Sequence, residues 1–327
     1  MTSAGDASVD AVEQAAALLG ELAERNVPLG PMTTYRVGGA AALFVRPTSA
    51  DHLGRLAEAV VASGLAVLVV GRGSNLLVAD EGFRGVAVSL AALGSDVTVE
   101  GAEVRAGGAV ALPMLARRTV AAGLTGFEWA VGVPGSVGGG VRMNAGGHGS
   151  DMAASLVEVE VFDLLRREHA TVAAARLGLR FRGSDLADHQ VVVSARLRLA
   201  PGDRAASEAE LDDIVRWRRE HQPGGQNAGS VFVNPVPGEL AAGALIDRVG
   251  LRGMRIGSAQ VSDKHANFIQ ADEHGSAADV RAVMDEVRRV VAERTGFVLR
   301  SEVRLVGFAD GDHEHAAAGE LFTGVTW

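Results

Sequence analysis

The sequence predicts a protein of mixed helices and strands in two or three domains, and three observations carry that expectation. A βαβ-like opening delivers an apolar strand into a glycine turn at 71–76. A strand-rich middle follows, interrupted by a glycine-dense block at 132–149. Pro201-Gly202-Asp203 then marks a change in organisation and places a domain boundary at 201–206.

The elements follow in order. Val12, Ala15, Leu18, Leu19 and Leu22 stand at helical spacing, so a docking helix is expected up to about Asn26. Ala42-Leu43-Phe44-Val45 reads as a strand ended by Arg46-Pro47. Thr48 with Asp51 three residues on predicts a capping box for a helix through Leu53, Leu56, Ala57 and Val60. The continuous apolar run 65–70 reads as a buried strand. Short β-rich pieces fill 86–105, a helix is expected at 112–122, and strands return at 156–162 and 191–199. Ser207 with Glu210 predicts a second capping box, for a helix through Ile214 and Trp217 to about His221. The remainder predicts a helix at 243–249 and strands at 254–261 and 266–270. A long helix opened by Ser276 and Asp279 has Val280, Val283, Val287, Val290 and Val291 on its apolar face, and a strand at 298–308 closes the domain. The residues after Asp310 give no reading, and no solenoid-type repeat is present.

Composition narrows the function. At 47% hydrophobic and 22% charged, the chain has ample material for a core. It has no run of about 18 apolar residues to span a bilayer, and its start lacks the basic and apolar segments of a signal peptide, so a cytoplasmic protein is expected. With no cysteine there is neither a disulfide framework nor a thiolate nucleophile. A net charge of −9 argues against nucleic acid and membrane surfaces as partners. Any anionic ligand must meet a local cluster of donors.

The run 132–149, GVPGSVGGGVRMNAGGHG, is not a linker, because apolar residues flank and interrupt it. Glycine there lets a ligand approach the main chain, so that amides can point at anionic oxygens, and a phosphate-bearing ligand is the natural expectation. Gly71-Arg72-Gly73-Ser74-Asn75-Leu76 lacks the third glycine and the following helix of a dinucleotide fingerprint. Two glycine turns, each after an apolar strand, favour joint binding of one diphosphate. Lys264 is the only lysine in an arginine-rich chain, which points to a site needing a compact charge. Ser230 by itself reads as a turn hydroxyl, with no nucleophile elbow around it. Glu302 alternates with Arg300 and Arg304 and by itself reads as part of a solvated charge ladder, and Arg182 as a loop arginine. The histidines show no metal-ligand spacing, so no metal is expected.

Taken together, TTYRVGGAA at 33–41, GRGSNLLVADEGFRG at 71–85, the run 132–149, NAGSVFVNP at 227–235, SDKHANFI at 262–269 and SEVRLVG at 301–307 resemble the UDP-N-acetylenolpyruvoylglucosamine reductase (MurB) family. The resemblance implies an N-terminal helix at 1–26, a two-part FAD-binding region of the vanillyl-alcohol oxidase (PCMH) type at 27–203, an α+β substrate-binding domain at 204–309 and a tail at 310–327. It implies NADPH as reductant, FAD as cofactor, a UDP-sugar as substrate, a role in peptidoglycan synthesis and a monomer as the expected state. The implied catalytic group is Arg182, Ser230 and Glu302. Cofactor contacts are implied for Tyr35, Arg36, Gly71, Arg72, Gly73, Ser74, Asn75, Leu76, Pro134, Gly135, Ser136, Val137, Gly138, Asn144, Ala145 and Gly146, and substrate contacts for Arg218, Asn234 and Lys264. The chain departs from the family pattern at Phe181, where a tyrosine is common, and at Val233, where a basic or polar residue is common. Two other readings stand beside this one: another flavin oxidase or dehydrogenase of the same fold, and a nucleotide-diphosphate binding module without redox activity.

Overall fold

A computed structural model describes residues 4–308 apart from 237, so the tail expected at 310–327 lies outside the described residues. The first layer runs α1 (Ala4–Leu19), β1 (Ala23–Pro28), β2 (Ala40–Val45), α2 (Ala50–Ser63), β3 (Val67–Val69), β4 (Leu76–Val78) and β5 (Phe83–Val88). Its sheet has the order β1-β2-β5-β3, with β1 antiparallel and the other three parallel. The N-terminal helix ends earlier than expected. Gly20 takes a left-handed φ of 55°, and Ala23–Pro28 pairs with β2 as a strand. The cap of α2 is Ser49 rather than Thr48, whose hydroxyl instead meets the His52 ring. Leu53, Leu56, Ala57 and Val60 are buried, as their spacing predicts.

The second layer runs β6 (Val97–Glu100), β7 (Glu103–Gly107), α3 (Leu112–Ala121), β8 (Leu124–Thr125), α4 (Val137–Arg142), β9 (Gly146–Gly147), β10 (Ser150–Asp151), β11 (Leu156–Asp163), β12 (Glu168–Ala173), β13 (Gln190–Arg198) and β14 (Ala200–Pro201). Its five-stranded antiparallel sheet has the order β12-β11-β13-β7-β6. α3 and α4 contribute to the core of this layer through Leu112, Leu115, Ala116, Val120, Val137 and Val141.

One carboxylate fixes the end of β11. Asp163 accepts from the amides of Leu165 and Arg166 at 3.0 Å and from Gln190 at 3.2 Å, and it faces His189 at 3.6 Å. Burial pushes its pKa up, but hydrogen bonds from His189, Arg166 and Gln190 outweigh this and hold it at about 2. Asp163→Ala is expected to destabilise the protein by about 2–3 kcal/mol, because buried donors lose their acceptor. The folded-state pKa lies below the unfolded one, so this stabilisation is present near neutral pH and is lost as pH falls toward 2. Urea midpoints of wild type and variant should therefore differ at pH 7 and converge in acid.

The third part runs α5 (Arg204–His221), α6 (Ala242–Arg248), β15 (Arg255–Ile256), β16 (Ala259–Val261), β17 (Ile269–Ala271), α7 (Ala277–Thr295) and β18 (Arg304–Val306). The cap of α5 is Asp203, whose side chain accepts from Ala206, so the expected Ser207 box gives way. Ser207 lies inside the helix and donates to buried Glu128 at 2.6 Å. Leu211 and Ile214 of α5 join the core of the second layer, whereas the residues from Ala228 onward build a separate core that Tyr35, Val37 and Leu77 join. The chain therefore turns at 201–206, but the packing changes only after α5. Ser276 caps α7 and its valine face is buried, both as expected. The closing strand is shorter than expected. β18 pairs in parallel with β4, returning the chain to the first layer, and Glu302 precedes it in irregular backbone.

Candidate active site

The strand β3 ends in the loop 71–75, and the segment 132–136 lies against it. A Cβ on Gly71 would stand 2.4 Å from Ser136 Oγ and 3.4 Å from its Cβ, so the two loops are in close contact at this position. Gly73 has a φ of +60° and would place a Cβ 2.2 Å from the Met32 carbonyl oxygen. Among the described residues, the amides of Gly71, Arg72, Gly73, Ser74, Asn75, Gly135 and Ser136 donate to no protein acceptor. Successive unpartnered amides on two facing loops form a nest for an oxyanion, and two such arcs suit a diphosphate.

These loops line a cavity of about 560 Å³. Its wall includes Gly71–Leu76 of the first loop, Pro134, Gly135, Ser136, Ala145 and Gly146 of the second layer, and Arg182, Arg218, Ser230 and Glu302. The structure thus brings Arg182, Ser230 and Glu302 to one wall, although they come from three distant stretches of sequence.

Arg182 sits at the third position of the tight turn 180–183, closed by reciprocal backbone bonds between Arg180 and Gly183 of 2.9 and 3.1 Å. Its φ of +57° is uncommon for arginine and costs on the order of 1 kcal/mol. Arg182 Nε pairs with Glu302 Oε1 at 2.9 Å, and Nη2 donates to the Gly146 carbonyl at 2.9 Å. The Phe181 ring lies 4.8 Å from the guanidinium carbon, so this departure from the family pattern keeps an aromatic contact and loses a phenol. Glu302 is mostly buried. Burial pushes its pKa up, and the charge and hydrogen bond of Arg182, with the charge of Arg300, pull it back. It is therefore an internal ion pair, not a member of a solvated ladder.

Ser230 and Glu302 are held by one network. The Glu302 amide donates to Val231 O at 2.7 Å, and the Asn75 side chain donates to Glu302 O at 2.9 Å. Buried Asn267 clamps both edges of Phe232, accepting from its amide at 3.0 Å and donating to its carbonyl at 2.8 Å. The loop 71–75 and the backbone bearing Glu302 are consequently locked together.

Several expected contacts are not on the wall. Tyr35 is fully buried in the C-terminal core with Leu77, Ala228 and Val231, and burial pushes its phenol pKa up. Arg36 lines a neighbouring cavity of about 760 Å³ that shares Gly71 and Arg72 with the first. The amides of Val137 and Gly138 are spent on Val110 and Gly108 carbonyls. Asn144 is buried, donating to Asp151 and to the Arg180 carbonyl, so it supports the Arg182 turn. Asn234 accepts from the Ala242 amide and braces α6. Lys264 Nζ donates to the Arg219 carbonyl at 2.6 Å, at the last turn of α5. Val233 is buried in the core and offers no polar contact.

Sequence reasoning passes over Arg142 and reads Arg304 only as a charge of the ladder around Glu302. Both line the cavity, and both reach the single carboxylate of Asp188, which leaves a surplus positive charge on the wall. Burial, and then Arg304, lower the pKa of Arg142 to about 10, against the pull of Asp188. No spacing in the sequence signals this trio, because its members meet only through the fold. Among the described residues no cluster of His, Asp and Glu could hold a metal, and no helix is long and apolar enough to cross a membrane.

Comparison with known proteins bears on this cavity. The model of the UDP-N-acetylenolpyruvoylglucosamine reductase C-terminal domain matches residues 221–306, and that of an FAD-binding domain matches residues 41–164. The chain is 43% identical over 289 residues to the UDP-N-acetylenolpyruvoylglucosamine reductase of Heliobacterium modesticaldum, covering 87% of this chain and 90% of that protein. It is 39% identical over 319 residues to that of Synechococcus sp. strain WH7803, covering 95% and 100% respectively. The crystal structure of UDP-N-acetylenolpyruvylglucosamine reductase from Thermus caldophilus matches with a TM-score of 0.75 at 32% identity, covering 87% of this chain and 98% of that one.

Proposed function

Because this chain belongs to the UDP-N-acetylenolpyruvoylglucosamine reductase family, we propose that Arg182, Ser230 and Glu302 divide the chemistry of that reaction among them. The enzyme is an FAD-containing, NADPH-dependent oxidoreductase. It reduces UDP-N-acetyl-3-O-(1-carboxyvinyl)-glucosamine to UDP-N-acetylmuramate, in peptidoglycan precursor synthesis. Its fold is α+β, with a two-part FAD-binding region of the vanillyl-alcohol oxidase type and a separate C-terminal domain. Along the chain we assign 27–203 to the first and 204–309 to the substrate-binding domain, with α5 crossing between them. The expected compartment is the cytoplasm and the expected state a monomer.

The residues present fit FAD. The unpartnered amides at 71–75 and 135–136 would hold its diphosphate, and Ala145 and Gly146 lie on the same wall. Bound FAD supplies hydride exchange between NADPH and the enolpyruvyl double bond. Addition of hydride at C3 leaves negative charge on C2 and its carboxylate. Arg182 has donors to spare for that charge, since only Nε and Nη2 are engaged within the protein. Glu302 fixes the guanidinium before reaction, so the positive charge is preorganised. Ser230 then delivers a proton to C2, which completes the addition of hydride and proton across the double bond. A serine hydroxyl is a weak acid, so position must supply most of its effect.

The observation that carries this assignment is the shared wall: the Arg182–Glu302 pair and Ser230 face one cavity that also opens to the unpartnered amides. Anaerobic stopped-flow separates flavin reduction by NADPH from reoxidation by the enolpyruvyl substrate. Variants at these three positions should lose the second and keep the first; equal loss in both contradicts the assignment.

Gly73→Ala tests the cradle. Its new Cβ meets main chain, not a flexible side chain, and the left-handed φ adds strain of roughly 1 kcal/mol or more. FAD affinity should fall about fivefold or more, because each 1.4 kcal/mol is a decade. Flavin absorbance after gel filtration, with circular dichroism as the folding control, reads this directly. Full flavin retention in a folded variant would remove loop 71–75 from the cofactor site.

A further inference from the structure

The group Arg142, Asp188 and Arg304 has no part in the steps above. Asp188 Oδ1 accepts from Arg142 Nη2 and Oδ2 from Arg304 Nη2, so one carboxylate stands between two guanidiniums. Both arginines line the cavity, and their side chains are only 26% and 15% exposed. Charge at that depth is screened far less than on the open surface. The trio adds one net positive charge to the wall, where the Arg182–Glu302 pair adds none.

The fold sets that charge at the reacting end of the cavity. Arg142 is the last residue of α4, about 9 Å by helical rise from the amides at 135–136. Its carbonyl accepts from Ser184 Oγ at 2.7 Å, and its Nη1 donates to the Leu186 and Ala187 carbonyls at 3.0 and 2.9 Å. All three partners belong to the segment that follows the Arg182 turn. Arg304 stands two residues beyond Glu302, and among the described residues only Nη2 of its side-chain nitrogens is engaged within the protein. A diphosphate has the amides of 71–75 and 135–136. The trio is left for the ring system that exchanges hydride.

Hydride brings two electrons and one proton, so its transfer from NADPH to a neutral flavin leaves NADP+ and adds one negative charge to the ring system. A fixed positive charge nearby favours that reduced form over the neutral oxidised one. We propose that the Arg142–Asp188–Arg304 group sets the reduction potential of the bound flavin, with Asp188 as the positioning residue that fixes both guanidiniums and offsets part of their charge. The setting matters because the flavin must accept hydride from NADPH and still release it to the enolpyruvyl double bond. This rests on the reading that FAD occupies the cavity.

The test measures the two-electron midpoint potential of flavin-loaded protein by anaerobic titration against a reference dye, with the affinity for oxidised FAD measured beside it. Wild type, Asp188→Asn, Arg142→Gln and the double variant are compared. Asp188→Asn removes the negative charge and should raise the reduced-to-oxidised ratio about tenfold, a positive shift of about 30 mV for a two-electron couple. Arg142→Gln removes a positive charge while keeping a donor for the 186–187 carbonyls, and should shift the potential by a similar amount in the negative direction. The double variant has the wild-type net charge and should return close to the wild-type potential. A group that only braced the fold would not move the potential with opposite signs. Single variants that keep the wild-type potential, or move it in one direction, overturn the proposal. So does a weaker hold on oxidised FAD at an unchanged potential, which would assign the charge to the diphosphate. Gly73→Ala separates the underlying reading: full flavin content in that variant would place the flavin elsewhere, whereas unchanged potentials beside a Gly73→Ala protein that has lost flavin overturn the charge assignment alone.

Discussion

Replacing Ser230 with alanine is expected to slow reoxidation of the reduced flavin by the enolpyruvyl UDP-sugar about a hundred- to ten-thousand-fold, the usual worth of a positioned general acid. Reduction by NADPH should proceed at the wild-type rate, because no proton at C2 is involved in that half-reaction. The hydroxyl is on the cavity wall, and the backbone that presents it is fixed independently of it, by Asn267 across Phe232 and by the Glu302 amide on Val231. Loss of the hydroxyl should therefore leave the wall in place, and UDP affinity and flavin content should be unchanged. Stopped-flow under anaerobic conditions, with product analysed for deuterium at C2 in heavy water, distinguishes the cases. An alanine variant that reoxidises at the wild-type rate would assign the proton to another donor. One that is slow in both half-reactions would make Ser230 a structural residue.

The ease with which these residues could be read from sequence follows the range of the interaction. Period and caps are local, so α2, α3 and α7 and the buried strands β3, β11 and β13 stand close to where their patterns put them. Apolar spacing over-extends the N-terminal helix because Leu22 continues it, whereas Gly20 and pairing with β2 decide the outcome. Glu302 looked like a ladder charge because alternation cannot show what a strand faces. Only the packing of the turn 180–183 beside it supplies the partner that makes it an internal ion pair. Lys264 stood out by composition, yet its ammonium caps the last turn of α5, whose Trp217 and Arg218 reach the cavity. Tyr35 stood out in the same way and proves to be core. Rarity marked positions under constraint without saying whether the constraint is contact or support. The two other readings raised by the sequence yield to family membership, since the match extends through both the FAD-binding region and the C-terminal domain.

Arg182→Met should lower the reoxidation rate about a hundred- to a thousandfold, the usual effect of deleting one preorganised donor from a site of developing negative charge. It should also alter the pH dependence, with a sign fixed by the pair. Burial holds the Glu302 pKa above its ordinary value, and Arg182 is the leading influence that opposes this. Without the guanidinium the carboxyl is left buried with only the more distant charge of Arg300, so its pKa must rise further. A carboxyl whose folded pKa exceeds its unfolded one binds its proton more tightly when folded. Stability then declines as pH rises from the unfolded value through the folded one, and in Arg182→Met that decline extends to higher pH. In the wild type, the ion pair orients the guanidinium only while Glu302 is ionised, so the reoxidation rate should fall on the acid side as Glu302 takes up a proton. Arg182→Lys keeps a charge but not the planar fork that reaches Glu302 and Gly146 together, and should recover only part of the rate. Single-turnover reoxidation measured across pH, beside urea midpoints at the same pH values, reads both effects. An unaltered acid limb in Arg182→Lys and a lost one in Arg182→Met would support the pair as the titrating unit. Identical limbs in wild type and Arg182→Met would detach Glu302 from the arginine and leave the carboxyl to act alone.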